Sequence, residues 1–490
     1  MKSVGNEIVA DSADNKQMDF SVRSLTQELQ RLNSYTGVSD LQRFFSYTKD
    51  DILKYLANPS ANVDRLIEVS RKMFQNSPQY RRLINYYAYM SMWAYVIEPE
   101  TFVPSKVKRE TVARQYYKTA QYVEKMNIKH EMRKACTIAL RDGVLFGVVR
   151  SNRDSWFIQS INPKYCKMSS IIDGCWVFSV NMAAIGEPNL YLYPDEFADM
   201  YQEYLKTGNK WQEVPDKICF CLKGDETVSY IIPPFAAILP NIIDLENYRE
   251  LAEIAKEIGN YKLVAMRVPL NDKSELSLPW EIIMEFYKHL SNALPEYVGA
   301  AAVPLELDDI DFRDSNTKAT SDLEEASRDF WSATGVSPLL FGDASNNTAS
   351  ALRLSIRTDE EFVFALVAQC ERLINHHLAR NIGGSVRYKV NILPVTVFNQ
   401  EQMVGYYKEA ANYGLPTKTA YGATTGLTPT AIPGLCELEN EILRYPEIFV
   451  PLSSSYTMSS EDVGRPTMSD DEIGEAGDKT RENETDDNKE

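Results

Sequence analysis

The acidic residues Asp308, Asp309 and Asp311 are the side chains whose spacing best fits a catalytic site. Asp309 and Asp311 lie two residues apart, so they share one face of a predicted β-strand. Paired carboxylates can hold Mg²⁺, and a magnesium-dependent nuclease is therefore one open hypothesis. The same pattern also suits a solvated edge strand whose charges prevent pairing with another chain, and this interpretation is favoured.

The cysteines and histidines predict no metal site. Cys219 and Cys221 share a strand face, but neither a second cysteine pair nor a suitably spaced histidine completes a ligand set. His376 and His377 fall within a predicted helix, where neighbouring side chains point about 100° apart. The seven cysteines are odd in number and scattered, which is typical of reduced thiols in a cytosolic chain. We therefore expect no metal and no cofactor.

The sequence motifs of common enzymes are also missing. The chain contains no G-x-x-x-x-G-K-S/T phosphate-binding loop, no G-x-G-x-x-G, no H-E-x-x-H and no G-x-S-x-G. We therefore expect a binding or architectural protein rather than an enzyme.

The charge of the chain also limits its partners. The net charge is −17, and residues 461–490 hold twelve acids and four bases. Such a chain is not expected to grip nucleic acid tightly, because Lys and Arg supply most duplex affinity. An acidic surface is nevertheless compatible with DNA that slides past without sticking.

No targeting or membrane segment is predicted. Residues 1–20 are polar and acidic, unlike a signal peptide. The most apolar stretch, residues 86–97, is shorter than the ~20 residues that span a bilayer. The sequence therefore predicts a soluble protein that is intracellular when made.

The first half of the chain changes from a helical to a strand pattern. Residues 21–141 are predicted helical, and residues 80–97 are rich in aromatic side chains that suit a packed core. Three β-hairpins are predicted afterwards, with turns at 151–154, 173–174 and 223–225. This middle region is predicted to be a small antiparallel β domain.

Two amphipathic helices are predicted at residues 242–258 and 317–334, and each is followed by a glycine, Gly259 or Gly335. They bracket a compact α/β excursion at 259–316. A polar loop at 343–348 precedes a long helix from 349 to about 380. A strand at 386–392 and further helices to residue 443 follow. Beyond residue 452 the composition is too polar to bury a core, so a disordered tail is predicted.

Five segments, in their order along the chain, resemble the portal proteins of long-tailed bacteriophages of the Gram-positive type. They are RDGVLFGVV (141–149), IIDLENYREL (242–251), TKATSDLEEASRDFWSATGVSPLLFGDASNNTASALRLSI (317–356), YGLPTKTAYGATTGLTP (413–429) and FVPLSSSYTMS (449–459). The resemblance extends from about residue 80 to residue 457. It implies a ring of twelve subunits around a DNA channel, with wing, stem, clip and crown regions in each subunit.

The resemblance implies an α+β, mainly helical, elongated subunit with two stem helices, an inserted α/β clip and a helical crown. Its regions are a disordered N-terminus (1–20), a wing (21–241), stem helix 1 (242–258), the clip (259–316), stem helix 2 (317–341), a tunnel loop (342–350), a long helix returning to the wing (351–392), a helical crown (393–459) and a disordered acidic tail (460–490).

The resemblance also implies site residues on three regions. Residues facing DNA in the channel would be Asp343, Ala344, Ser345, Asn346, Asn347, Thr348, Arg353 and Arg357. Stem residues would be Glu253, Lys256, Glu257, Lys318, Glu324 and Glu325, and clip residues would be Arg267, Asp308, Asp309 and Asp311. For Arg353 and Arg357, pairing with Asp359, Glu360 or a neighbouring subunit stays equally open.

The partners implied are further copies of the chain, double-stranded DNA bound without sequence preference, the large terminase subunit, a head-completion adaptor, and the capsid and scaffolding proteins. The subunit would be assembled in the host cytoplasm and reside at one vertex of the virion, with no membrane partner. A minor head or scaffold-like protein is the alternative from the structural class.

Overall fold

The computed structural model describes residues 47–100, 108–259, 262–267, 282, 285–286, 289, 298–303, 310–311, 313–336 and 349–449. Helices make up about 61% and strands 15% of these residues, so the predicted mainly helical α+β class is confirmed. The chain divides into two compact units, residues 1–430 and 431–490. The predicted disordered ends and residues 342–348 of the predicted tunnel loop lie outside the described residues, whereas the last two residues of that loop, 349–350, begin a long helix.

Helices occur throughout the described chain. They are α1 (Lys49–Ala57), α2 (Val63–Asn76), α3 (Pro78–Met90), α4 (Arg109–Lys125), α5 (Ile128–Asp142), α6 (Met182–Ile185), α7 (Glu196–Thr207), α8 (Leu239–Gly259), α9 (Arg313–Ala333), α10 (Ala349–Asn381), α11 (Gln400–Asn412), α12 (Lys418–Thr424), α13 (Ala431–Glu437) and α14 (Tyr445–Ile448). Short 3-10 turns lie at Pro59–Ala61, Pro163–Tyr165, Glu187–Leu192 and Ala236–Ile238.

The strands belong to three sheets. They are β1 (Tyr95–Pro99), β2 (Val144–Ser151), β3 (Trp156–Ser160), β4 (Cys166–Ile172), β5 (Cys175–Asn181), β6 (Trp211–Glu213), β7 (Cys219–Lys223), β8 (Lys262–Arg267), β9 (Val298–Val303), β10 (Ile310–Asp311) and β11 (Tyr388–Ile392).

Two of the first three helices begin after a side chain that accepts a hydrogen bond from a free backbone N–H group. Thr48 caps α1 in a capping box with Asp51, and Ser77 caps α3 immediately before Pro78. The aromatic stretch that follows is buried as predicted, since Tyr80 and Tyr87 lie in the main core. The predicted helical pattern through residue 97 is wrong, however. Helix α3 ends at Met90, and β1 pairs antiparallel with β11, almost 300 residues later in the chain.

The middle region is an antiparallel sheet in the order β3-β2-β7-β5-β4, with β6 paired to β5. The hairpins predicted at 151–154 and 173–174 are confirmed. Asp173 and Gly174 have φ values of 50° and 77°, the left-handed conformation that a tight two-residue turn requires. Helix α7 was not predicted.

The third predicted hairpin is wrong. Strand β7 forms as expected, but residues 228–232 are not a strand. Strand β7 is central in the sheet, with β2 on one edge and β5 on the other, so no edge is free for a partner from the following residues. The chain instead turns away, and the N–H of Gly224 donates to the carbonyl of Gly143 at 2.8 Å.

Helices α8 and α9 pack against each other and bracket a small sheet, in agreement with the predicted pair of helices around an α/β excursion. The sheet has the order β10-β8-β9, with β8 and β9 parallel and β10 antiparallel to β8. Helix α9 begins at residue 313, four residues before the predicted start, and Gly335 (φ 75°) follows its end as predicted.

The long helix α10 agrees closely with its predicted limits, and strand β11 and helices α11 and α12 follow it. The middle region has its own core, with Phe146, Phe178 and Phe197 buried, and a third and smaller core joins β1 and the turn after β11 to α12, with Val395, Ala420 and Ala423 buried. In unit 2, α13 continues into a π-helical turn at Leu438–Ile442. Among the described helices, none combines the length and apolarity that crossing a membrane requires.

Candidate functional site

The base of the helical pair α8–α9 is anchored in the main core. Ile242 and Leu245 on α8 are buried, and Phe330 and Trp331 at the end of α9 pack edge to face at 4.9 Å. Burying one such side chain contributes about 1.5–3 kcal/mol. The pair is therefore rooted where α8 begins and α9 ends, on the side away from the inserted sheet.

Polar contacts hold the same end of α8. The Lys49 Nζ of α1 lies 2.6 Å from Asp244 Oδ2, and Arg249 bonds Glu246 one turn away at 2.9 Å. Both Lys49 and Asp244 are more than a third exposed, so this ion pair adds little to stability. It nevertheless fixes where α1 crosses α8.

The predicted stem residues all lie on these two helices. Glu253, Lys256 and Glu257 fall on α8, and Lys318 on α9, each in a stretch described by its backbone alone. Glu324 and Glu325 on α9 are described in full and are exposed. The two exposed carboxylates leave α9 with an acidic surface near its middle.

Of the predicted clip residues, Arg267 ends β8 and Asp311 lies on β10, whereas Asp308 and Asp309 fall outside the described residues. Strand β10 is an edge strand, with Asp311 opposite Lys262 of β8. The described part of the chain brings no three metal-ligating side chains together.

The two predicted channel arginines lie on α10, just after the tunnel-loop segment. Arg353 and Arg357 are both exposed and one helical turn apart, so they share a face. The two acids considered as their partners are engaged elsewhere and buried. Asp359 accepts hydrogen bonds from Tyr86 and Tyr87, both at 2.9 Å, and Glu360 accepts one from Thr396.

Burial raises the pKa of Asp359, although the two tyrosine hydroxyls partly offset that effect. Burial, together with the nearby Asp359, raises the pKa of both Tyr86 and Tyr87 as well, so the hydroxyls stay protonated and donating. A carboxylate buried with two donors holds α10 at one position against α3, because shifting the helix would leave a charge without partners.

Further along, α10 is fixed to the middle sheet and to β11. Gln369 donates to the carbonyl of Lys223 at 3.1 Å. The Asn375 side chain makes two hydrogen bonds with the backbone of Val390, at 2.7 and 2.8 Å. Through these contacts and its buried apolar side chains, α10 joins α3, the middle sheet and β11 at the main core.

The adjacent histidines face different partners, as their helical spacing predicted. His376 lies 2.7 Å from Asp216, which Arg380 also binds. His377 is buried and accepts from the indole of Trp156 at 3.1 Å. Burial lowers the pKa of His377 to about 4, so it is neutral at neutral pH. Each imidazole thus contacts a different protein group, and the two do not converge on one point where they could bind a metal together.

The cysteines of the described chain are free thiols, and Cys219 and Cys221 are buried as predicted. The sequence did not reveal that Cys136 on α5 and Cys370 on α10 meet in the core, with sulfurs 3.8 Å apart. Nothing in the local pattern links two residues 234 positions apart, so only the tertiary fold could show this contact.

The chain matches no family model and no curated protein. The function is therefore inferred from the residues, the order of the elements and the geometry described above.

Proposed function

We propose that the chain is the subunit of a portal, a ring around the channel through which double-stranded DNA enters and leaves a tailed-bacteriophage head. The observation that carries the proposal is the helical pair α8–α9 with the β10-β8-β9 sheet inserted between its helices, followed by the long helix α10. In this proposal α8 and α9 are the stem, residues 259–316 the clip and residues 342–350 the tunnel loop.

A closed ring needs two different and complementary faces on each subunit. Helix α9 offers Glu324 and Glu325, and α8 offers Tyr248, which is 41% exposed. Mixed polar and aromatic surface suits lateral contacts between subunits. We assign the exposed faces of the stem helices to these contacts between subunits. The start of α8 and the end of α9 are buried in the main core, which leaves the other faces for a neighbouring subunit.

The anchoring of α10 supports a loop that must be held beside moving DNA. The helix starts directly after residue 348, and its buried contacts through Asp359, Gln369 and Asn375 fix it to the rest of unit 1. A helix fixed in this way gives the loop before it a defined point of attachment.

The chemistry of the loop suits sliding rather than gripping. Residues 343–348 contain one acid and no Lys or Arg, and the chain carries a net charge of −17. Weak contacts let a duplex pass, whereas several Lys–phosphate pairs would add affinity and slow it. The exposed Arg353 and Arg357 are the cations nearest to the loop in sequence.

The remaining partners follow from the same proposal. The clip would receive the large terminase subunit during packaging and an adaptor protein afterwards. The wing would face the capsid and scaffolding proteins, and the protein would act at one vertex of the virion without catalysis or a cofactor of its own.

Light scattering on the purified full chain tests the ring. We expect a species of about twelve times the 55.8 kDa subunit mass. Reversing Glu324→Lys and Glu325→Lys on α9 should reduce the ring fraction, whereas the matched reversal of the exposed Glu401 and Glu409 on α11 should not. A stable monomer at high protein concentration contradicts the proposal.

A further inference from the structure

One segment of this acidic chain is strongly basic. Residues 108–134 hold eight Lys and Arg against three Glu, within a chain of net charge −17. The segment forms helix α4, a left-handed residue at Asn127, and the start of α5. The positive charge is therefore concentrated on two consecutive helices of unit 1.

Three of the four cations of helix α4 lie on one side of it. Its apolar side packs into the core through Ala120 and Val123, while Arg114 and Lys118, one turn apart, are exposed. Lys125 lies eleven residues after Arg114, close to three full turns, so it falls on the same stripe about 16 Å along the axis.

Two further cations extend this stripe. The Nζ of Lys125 donates to the carbonyl of Asn152 at 2.8 Å, which brings the exposed Arg153 of the β2–β3 turn beside the end of α4. Lys129 is exposed in the first turn of α5. We call Arg114, Lys118, Lys125, Lys129 and Arg153 the basic stripe.

The basic stripe is not neutralised within the described chain. Several surface cations there have a carboxylate partner, such as Lys49 with Asp244 and Arg380 with Asp216. None of the five stripe residues lies within ion-pair distance of a described carboxylate. Lys129 also sits at the positive end of the α5 dipole, an unfavourable place for a cation.

We propose that the basic stripe binds the phosphate backbone of duplex DNA, without sequence preference, at a surface separate from the channel loop. A row of cations along α4, the start of α5 and the β2–β3 turn can contact several phosphates of a duplex at once. An anionic membrane is a poorer partner, because interfacial helices expose bulky aliphatic side chains. The exposed neighbours of the stripe on α4 include the acids Glu110 and Glu124 and no bulky aliphatic residue.

The test measures binding of the full chain to a fluorescein-labelled, mixed-sequence DNA duplex by fluorescence anisotropy between 25 and 100 mM salt. Five phosphate contacts predict a loss of about 500-fold in affinity over this range. The variant R114Q/K118Q/K129Q retains two contacts and should lose only about 12-fold. Lys125 is kept because it holds the β2–β3 turn.

The matched control K206Q/K408Q/K418Q removes the same charge from exposed positions on α7, α11 and α12. It should keep the wild-type salt dependence. Equal effects of the two triple variants, or no binding by the wild type at 25 mM salt, overturn the proposal. So does equal or tighter binding of a poly-glutamate peptide or of anionic lipid vesicles.

Two checks keep the result interpretable. The double variant R114Q/K118Q replaces the triple variant if circular dichroism shows that the triple is unfolded. Light scattering reports the ring mass of each variant. A changed salt dependence at unchanged mass therefore concerns the basic stripe alone and leaves the portal proposal to its own test.

Discussion

Arg71 and Asp142, which are 71 residues apart in the chain, form a two-bond ion pair that joins α2 to the end of α5. Arg71 Nε lies 3.0 Å from Asp142 Oδ1, and its Nη2 lies 2.7 Å from Oδ2. Asp142 is fully buried and also binds the neighbouring Arg141. Burial alone would raise the pKa of Asp142, but the two arginines more than offset it and hold the pKa below its ordinary value.

Replacing Asp142 with Asn should destabilise the protein by about 3 kcal/mol at pH 7, because it leaves two arginines without their buried counter-charge. The folded-state pKa is the lower one, so the ion pair stabilises above the unfolded pKa of about 3.9 and fades as pH falls below it. Urea unfolding at pH 7 and pH 3.5 measures both effects. The exposed turn variant Asp154→Asn serves as control, and an equal loss at both pH values would refute this assignment.

The tyrosine bonds to Asp359 give a second prediction. Tyr87→Phe keeps the ring packing but removes one donor to a buried carboxylate, which should cost about 1.5–3 kcal/mol at pH 7. Because burial raises the folded pKa of Asp359, ionising this carboxyl costs stability as pH rises, and the two tyrosine hydroxyls reduce that cost by donating to the carboxylate. More of the carboxyl is protonated at pH 4 than at pH 7, so the loss of one donor should cost less at pH 4. Tyr89→Phe, at a 47% exposed position, should change stability by less than about 0.5 kcal/mol.

Alanine substitutions at two glycines distinguish the cost of backbone strain from the cost of a steric clash. Gly143 and Gly208 both have positive φ, 82° and 74°. A Cβ on Gly143 would lie 2.5 Å from the Ile232 backbone, whereas one on Gly208 would meet nothing within 4 Å. Gly208→Ala should cost about 1–2 kcal/mol, and Gly143→Ala clearly more, about 3 kcal/mol or above. Thermal unfolding compares them, and equal costs would contradict the close packing at residue 143.

Thiol labelling examines the burial of the cysteines. Cys436 is exposed, whereas Cys136 and Cys370 are buried and burial raises the pKa of Cys136. Because the thiolate is the reactive form, native protein should show one fast thiol per chain with Ellman's reagent. Cys436→Ser should remove the fast phase, and its persistence in that variant would show that the half-buried Cys166 or a core thiol is accessible.

The sequence was most informative where local chemistry determines local structure. The Asp173–Gly174 turn and Gly335 after α9 require backbone conformations that few residues adopt, so both were predictable. The periodicity of α10 likewise set its limits. These features depend on residues close together in the chain.

Contacts between residues far apart in the chain could not be predicted from the sequence. Strand β1 forms because its partner β11 is available, and the β7 hairpin fails because β2 and β5 occupy both edges of β7. The contacts of Asp359 and of Asp142 likewise join residues far apart in the chain. The net charge of the chain gave no indication of the basic stripe. That Arg114, Lys118 and Lys125 share one side of α4, away from the core, could be recognised only once the packed side of the helix was known.

Electron cryomicroscopy of the purified full chain tests the portal proposal most directly. We expect a rotationally symmetric ring with an open axial hole, and density for residues 343–348 on the wall of that hole. A map without rotational symmetry, or one that places residues 343–348 inside the subunit or far from the axis, would contradict it.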